Sequence, residues 1–212
     1  TYTLPAYQTA SGCVDILMHT MERYFTKAEN TMLTDSVAEG LMRTVIYNAK
    51  VLAEDPENYD ARAQVMWAGS LSHNGLTGCG TEGDWASHQL EHELGGMFDV
   101  AHGAGLAAVW GSWARYVYKE KPARFAQFAA NVFNIPWNSS NLEQMALDGI
   151  QAMEAFYRSI HMPTSLAELG VNPTEEQIQE LAKKCSFMGK RTVGTFKVLQ
   201  IPDMEAIYRM AR

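Results

Sequence analysis

The sequence has 212 residues, of which 47% are hydrophobic and 19% are charged. This is the composition of an ordinary globular protein and excludes a disordered or fibrous chain. The formal net charge of −7 argues against binding to nucleic acid or to an anionic membrane surface, because both require basic patches. No stretch approaches the ~20 apolar residues of a membrane span. The three cysteines form no CxxC pair, which indicates reduced thiols and a cytoplasmic protein.

Apolar residues recur at helical spacing along nearly the whole chain. The only strand-like alternation, in residues 192–198, stands alone and has no evident partner strand. A short last helix begins near Asp203. The longer predicted helices cover residues 12–25, 35–53, 61–74, 85–97, 103–118, 121–133, 142–161 and 175–188. The predicted fold is therefore all-α, with one multi-helix domain over residues 1–212.

The first helix carries Asp15 and His19 four residues apart, so their side chains leave the helix on the same face. Glu22 and Thr26 follow on a polar strip beside the apolar face. An ordinary contact between an aspartate and a histidine one turn apart is the simplest interpretation of this pair taken alone.

A second pair, His88 and His92, has the same spacing on a later helix and is followed by His102 at a helix start built of small residues. A single buried histidine is usually an ordinary core residue with its hydrogen bonds satisfied. Two imidazoles on one face, with a third nearby, are harder to explain in that way. One aspartate and three imidazoles suit Fe²⁺ or Zn²⁺ and leave a fifth position for a substrate oxygen. Chemistry alone leaves a metal site and a set of packed histidines equally open.

Residues 88–92 also match H-x-x-E-H, the inverted zinc-peptidase motif in which Glu91 would be the general base. That interpretation gives no role to Asp15, His19 and His102. We therefore treat it as a minor alternative.

The histidines belong to a longer pattern that includes Leu4-Pro5, Gln8-Thr9-Ala10-Ser11-Gly12, Asp15-Ile16, His19, Glu22 and Tyr24, then His88, His92 and His102-Gly103. This pattern resembles the C-terminal half of the iron-containing (group III) alcohol dehydrogenases. Residues 56–60, 66–68 and 84–85 resemble the butanol dehydrogenase branch of that family. The similarity runs along the whole chain.

The resemblance implies a dehydroquinate synthase-like C-terminal helical domain that binds one divalent metal, Fe²⁺ or Zn²⁺. The implied ligands are Asp15, His19, His88 and His102, and His92 is the implied catalytic residue that assists proton movement. The implied reaction is reversible hydride transfer between a small alcohol or aldehyde and NAD(P), with the metal as the Lewis acid that polarises the substrate oxygen. Trp85 is expected either to line an apolar substrate pocket or to pack in the core.

The sequence departs from the family in one large respect, because the N-terminal dinucleotide-binding domain is absent. Residues 78–83 match G-x-G-x-x-G, but a predicted helix precedes them where a dinucleotide site needs a buried strand. The start at Thr1 is therefore interpreted as a cut between two domains, and the fragment alone is expected to be inactive. NAD(P) is expected only with the missing domain.

Two other functions are compatible with the same residues. One is a metal-dependent hydrolase or lyase that uses the Asp/His cluster, and the other is a non-catalytic helical metal-binding domain. A homo-oligomer is possible, as in other members of the family.

Overall fold

The computed structural model describes residues 1–212, and its regular structure is helical, which confirms the predicted all-α class. Single 3₁₀ turns lie at Leu76–Gly78 and Tyr118–Glu120. None of the helices combines the length and the apolarity that a bilayer span requires. The helices are α1 (Ala6–Tyr24), α2 (Met32–Glu54), α3 (Tyr59–His73), α4 (Ala86–Phe98), α5 (His102–Val117), α6 (Pro122–Phe133), α7 (Leu142–Ser159), α8 (Glu175–Cys185) and α9 (Ile201–Ala211).

The first helix is longer than its apolar pattern predicts. Helix α1 begins at Ala6, directly after Pro5, whereas the pattern becomes visible only near Gly12. Most of the first turns are exposed and carry small or polar side chains. Such residues form helix without any amphipathic signal, so hydrophobic periodicity does not detect them.

The strand-like segment near the C-terminus forms a tight hairpin rather than a sheet. Val193 and Leu199 form a single antiparallel bridge, in which each backbone N–H donates to the carbonyl of the other. Gly194 has a φ of +86°, a left-handed conformation that glycine adopts without strain. The segment therefore has a partner, and that partner is its own C-terminal end.

Helix α5 is the centre of the core. Every residue from Gly103 to Ala114 is buried, and the helix packs against α1, α4, α7 and α9. A helix that is buried on all sides needs small residues wherever another backbone approaches closely. Gly103 is such a place, because a Cβ atom there would overlap the carbonyl oxygen of Ser11 on α1.

The start of α4 is held by a buried carboxylate. Asp84, which is 3% exposed, accepts hydrogen bonds from the backbone N–H groups of Ala86, Thr195 and Phe196. Between Asp84 and the helix, Trp85 takes a left-handed conformation with a φ of +60°. These contacts fix the hairpin of residues 193–199 to the end of α4 that carries His88.

Candidate metal centre

Helices α1, α4 and α5 bring three imidazoles to one carboxylate oxygen. The Oδ1 atom of Asp15 lies 3.6 Å from Nε2 of His19. It also lies 3.5 Å from Nε2 of His88 and 3.5 Å from Nε2 of His102. The four residues implied as ligands therefore come together although they belong to three helices.

The spacing of these atoms suits a divalent metal. Zn–N bonds of about 2.0–2.1 Å in a tetrahedral site place two ligand atoms roughly 3.3 Å apart, close to the distances between Oδ1 of Asp15 and each of the three Nε2 atoms. Ligand atoms of Asp15, His19 and His88 lie within 4.8 Å of one another, whereas His102 forms a second group of this kind with Glu91 and His92. Oδ1 of Asp15 and Nε2 of His88 are buried and have no hydrogen-bond partner. Each such atom costs about 1–3 kcal/mol when left unsatisfied, and a cation between them would remove that cost. One oxygen and three nitrogens are also donors that Fe²⁺ and Zn²⁺ accept.

Two buried glutamates orient the rings from behind. Glu22 is 2% exposed; its Oε1 atom accepts a hydrogen bond from the backbone N–H of His88 at 3.0 Å and lies 3.4 Å from Nδ1 of the same residue. On the other side, Nδ1 of His102 donates to Oε2 of Glu91. A carboxylate on Nδ1 fixes the tautomer and leaves the Nε2 lone pair free for a metal. Sequence reasoning had placed Glu22 on a polar strip and gave it no part in the site.

The buried position of Glu91 argues against the inverted peptidase motif. Glu91 is 1% exposed and is engaged by His102. A general base in a peptidase must reach a water molecule on the open side of the metal. Glu91 instead lies behind the ring that it orients.

His92 lies beside the cluster rather than in it. Its ring is stacked 5.5 Å from that of His102 and stands 6.1 Å from that of His88, and its side chain is exposed. Partial shielding of the ring from solvent lowers the pKa of His92, and the positive potential of His102 and His88 lowers it further against the opposing effect of Glu91. His92 therefore lies next to the proposed ligands, on the solvent-exposed side of the cluster.

A fifth histidine, missed by the sequence reasoning, also meets Asp15. His73 is the last residue of α3, and its Nε2 atom lies 3.4 Å from Oδ2 of Asp15. Its ring centroid is 3.8 Å from that of His19. No sequence signal could have identified it, because it has no helical spacing to any other candidate ligand and approaches Asp15 only through the packing of α3 on α1.

Trp85 lines the centre and is not part of the core. Its ring is 5.4 Å from that of His19 and 5.3 Å from that of His88, and it is only partly buried. The Arg23 guanidinium lies 4.7 Å from the Trp85 ring centre, a cation–π contact that holds the indole in place.

The charges of the cluster depend on one another. Burial by itself would raise the pKa of Asp15, but the contacts with His102 and His88 hold it well below its usual range. The Asp15 contact, aided by Glu91 and opposed by burial, raises the pKa of His102 to about 10. Burial lowers the pKa of His19 to about 4, although Asp15 opposes that shift. These opposing shifts tie the charge of Asp15 to the charges of the histidines around it.

The comparison with known proteins decides the family. The model of the Fe-containing alcohol dehydrogenase family, C-terminal, matches residues 9–212. The chain belongs to this family.

Its relatives are named as alcohol and aldehyde oxidoreductases. The chain is 37% identical over 209 residues to the probable NADH-dependent butanol dehydrogenase 1 of Bacillus subtilis, covering 99% of this chain and 53% of the relative. It is 36% identical over 212 residues to the NADPH-dependent aldehyde reductase YqhD of Escherichia coli, covering 100% of this chain and 54% of the relative. The chain spans about half the length of the curated relatives it matches.

Solved structures agree with the family assignment. The NADH-dependent butanol dehydrogenase A of Thermotoga maritima is 33% identical and superposes with a TM-score of 0.91, over 99% of this chain and 53% of that one. The substrate- and cofactor-free aldehyde reductase YqhD of E. coli is 36% identical, with a TM-score of 0.92, over 100% of this chain and 55% of that one. The helical domain described above is thus the C-terminal domain of this family.

Proposed function

We propose that this chain is the metal- and substrate-binding half of an NAD(P)-dependent alcohol or aldehyde oxidoreductase. The observation that carries the proposal is the convergence of three Nε2 atoms on Oδ1 of Asp15 at 3.5–3.6 Å. The proposed ligands of one divalent ion, Fe²⁺ or Zn²⁺, are Asp15, His19, His88 and His102.

A metal held by these residues would supply Lewis acidity that polarises the oxygen of an alcohol or aldehyde during hydride transfer. The protein's own contribution is to keep the donor atoms in place and in the correct protonation state. Glu22 and Glu91 do so for His88 and His102 through the Nδ1 contacts, which keep Nε2 turned toward Asp15.

The residues on the open side are suited to the substrate. His92 is exposed beside the His102 ring, where it would take up or deliver the proton of the alcohol; its neutral form is favoured by its lowered pKa. Trp85 offers an apolar ring next to His19 and His88, which would form one wall of the pocket for a short aliphatic chain.

The nicotinamide cofactor is proposed to bind to a nucleotide-binding domain outside residues 1–212. The support is that the relatives named as NADH- and NADPH-dependent enzymes are about twice as long as this chain. Residues 1–212 contain no parallel sheet of the kind that binds dinucleotides. The 212-residue chain alone is therefore expected to show no turnover of butanal with NADH or NADPH.

All three cysteines are unpaired, which supports the cytoplasm as the proposed location.

Metal analysis tests the proposal directly. We expect the purified chain to bind one equivalent of iron or zinc, measured by elemental analysis and by anomalous scattering at both edges. His88→Ala should lose most of that metal, since it removes one of four ligands, whereas the exposed Gln64→Ala should retain it. Full occupancy in His88→Ala would reject the ligand set.

A further inference from the structure

The groove between α1 and α3 contains a cavity that is separate from the metal centre. Its volume is about 190 Å³, far more than the roughly 10–15 Å³ that a single water molecule needs. None of the four proposed metal ligands lines it. Much of its wall is apolar and is formed by Leu4, Ile16, Leu52, Val65 and Met66.

One charged side chain lies in this wall. Arg62 is only 7% exposed; its Nε atom donates to the carbonyl oxygen of Pro56 at 2.8 Å, and its Nη1 atom donates to the hydroxyl of Thr9 at 3.0 Å. Thr9 lines the cavity as well, which places the guanidinium itself at the wall. Nη2 of Arg62 is buried and has no hydrogen-bond partner. One nitrogen of the guanidinium is therefore left to donate to a ligand.

The charge of Arg62 is not balanced by any group of the cavity. A guanidinium stays protonated in a protein, and a buried charge is costly unless it is paired. No aspartate or glutamate lines the cavity, and both hydrogen-bond partners of Arg62 are uncharged. Cys13 also lines it, but burial raises the pKa of this thiol to about 12 against the opposing effect of Arg62. The thiol thus stays neutral, and a bound anion would supply the missing charge.

We propose that this cavity is a binding site for a small aliphatic carboxylate. One carboxylate oxygen accepts a hydrogen bond from Nη2 of Arg62, and the alkyl chain packs on Ile16, Val65 and Met66. A hydrogen bond between two charged groups is stronger than one between neutral groups. The apolar wall favours an organic anion over an inorganic one, because phosphate gains nothing from apolar contact and loses its hydration. The proposal does not depend on a metal, so it can be tested separately from the proposed function.

The test uses the metal-free 212-residue chain, so that a carboxylate cannot bind at the proposed metal centre. The metal is removed with a chelator, and the chelator is then removed by dialysis. Binding of sodium butanoate is measured by isothermal titration calorimetry. Butanamide is its uncharged analogue, acetate is its shorter analogue, and phosphate is the inorganic anion. Nuclear Overhauser effects between butanoate and the methyl groups of Ile16 and Val65 locate the bound molecule.

Two variants change the cavity in different ways. Arg62→Gln removes the charge. Gly12→Leu fills the cavity and keeps Arg62, because Gly12 lines it and a Cβ atom there meets nothing within 4 Å. Gly96→Leu is the matched control, since that position on α4 is equally open. Circular dichroism verifies the fold of each variant, and Gly12→Leu decides the question if Arg62→Gln does not fold.

We expect butanoate to bind at least tenfold more tightly than butanamide, because the amide carries no charge to pair with Arg62. It should bind roughly tenfold more tightly than acetate, since each methylene moved from water to an apolar wall contributes about a fourfold gain. Arg62→Gln and Gly12→Leu should each weaken butanoate binding at least tenfold, and Gly96→Leu should match the unaltered chain.

Three results would overturn the proposal. The absence of butanoate binding by the unaltered chain would show that water alone satisfies Nη2 of Arg62. Phosphate binding as tight as that of butanoate would reject an aliphatic carboxylate as the ligand class. Unchanged butanoate binding in Gly12→Leu would place the bound molecule outside the cavity. None of these results bears on metal binding, which the His88→Ala experiment tests.

Discussion

Asp15 is the carboxylate that the three imidazoles share. Two buried glutamates contact two of these imidazoles from the other side. Glu22 and Glu91 are almost inaccessible to solvent, and each contacts the Nδ1 atom of a histidine whose Nε2 atom faces Asp15. A buried carboxylate is costly unless it is paired. The presence of two at this position indicates that the orientation of the imidazoles is closely controlled.

Substitution of Glu91 tests this control. Glu91→Gln keeps a side chain of the same size but removes the charge that holds His102 in its orientation. We expect Zn²⁺ affinity to fall about 10- to 100-fold, as measured by chelator competition. Glu93→Gln, on the same helix and without a hydrogen bond to the cluster, is the matched control. Equal affinities in the two variants would show that the Glu91 contact does not matter to metal binding.

At the scale of the helices, the centre depends on how closely α1 and α5 approach each other. Gly103 allows this approach, because its position directly faces the backbone of Ser11. Asp15 lies one turn further along α1, and His102 immediately precedes Gly103. Any separation of the two helices here therefore also separates two proposed ligands.

Gly103→Ala should consequently weaken folding and metal binding together. Overpacking of this kind costs about 1–3 kcal/mol, and we expect a free energy of unfolding lower by that amount, with a clear loss of Zn²⁺ affinity. The control is Gly96→Ala on α4, where a Cβ atom meets nothing within 4 Å. It should raise stability by up to about 1 kcal/mol, because alanine is the better helix former. A Gly103→Ala chain as stable as the Gly96→Ala chain would contradict the close approach.

The helices and the histidine pairs could be predicted from sequence because both depend on local spacing. A four-residue interval places His88 and His92 on one face whatever the rest of the chain does. The contacts of His73 and Glu22 could not be predicted in this way, since each is made between helices that are far apart in sequence. The left-handed conformation of Trp85 could not be predicted either, because bulky residues rarely adopt it. The position of Trp85 beside His19 also depends on the contacts of Asp84 with the hairpin.

For the whole molecule, the pH dependence of stability contains a contribution from Asp84. Burial raises its pKa to about 7 from an ordinary value of 3.8, with Glu22 adding to the shift and three backbone N–H groups opposing it. The folded chain therefore binds this proton more tightly than the unfolded chain does. The contribution is complete below pH 4 and is lost as the pH rises through about 7.

Asp84→Asn should remove that part of the pH dependence, because the amide does not ionise. Between pH 4 and 7 we expect the unaltered, metal-free chain to lose stability relative to the variant, by at most about 1.4 kcal/mol per pH unit. Urea unfolding at a series of pH values measures both slopes. Parallel curves for the two chains would contradict the raised pKa.

The distribution of the proposed ligands over α1, α4 and α5 has a consequence for the order of folding and metal binding. His88 and Glu22 are 66 positions apart in the chain, and the helices that carry them already pack around a hydrophobic cluster of 49 buried residues. We therefore expect the proposed metal to bind after the chain has folded and not to nucleate folding. The Asp15 and His102 side chains remain 28% and 40% exposed, so we expect a metal at the proposed site to exchange without unfolding of the chain. The ion at the proposed site would then depend on the ions available to the folded protein.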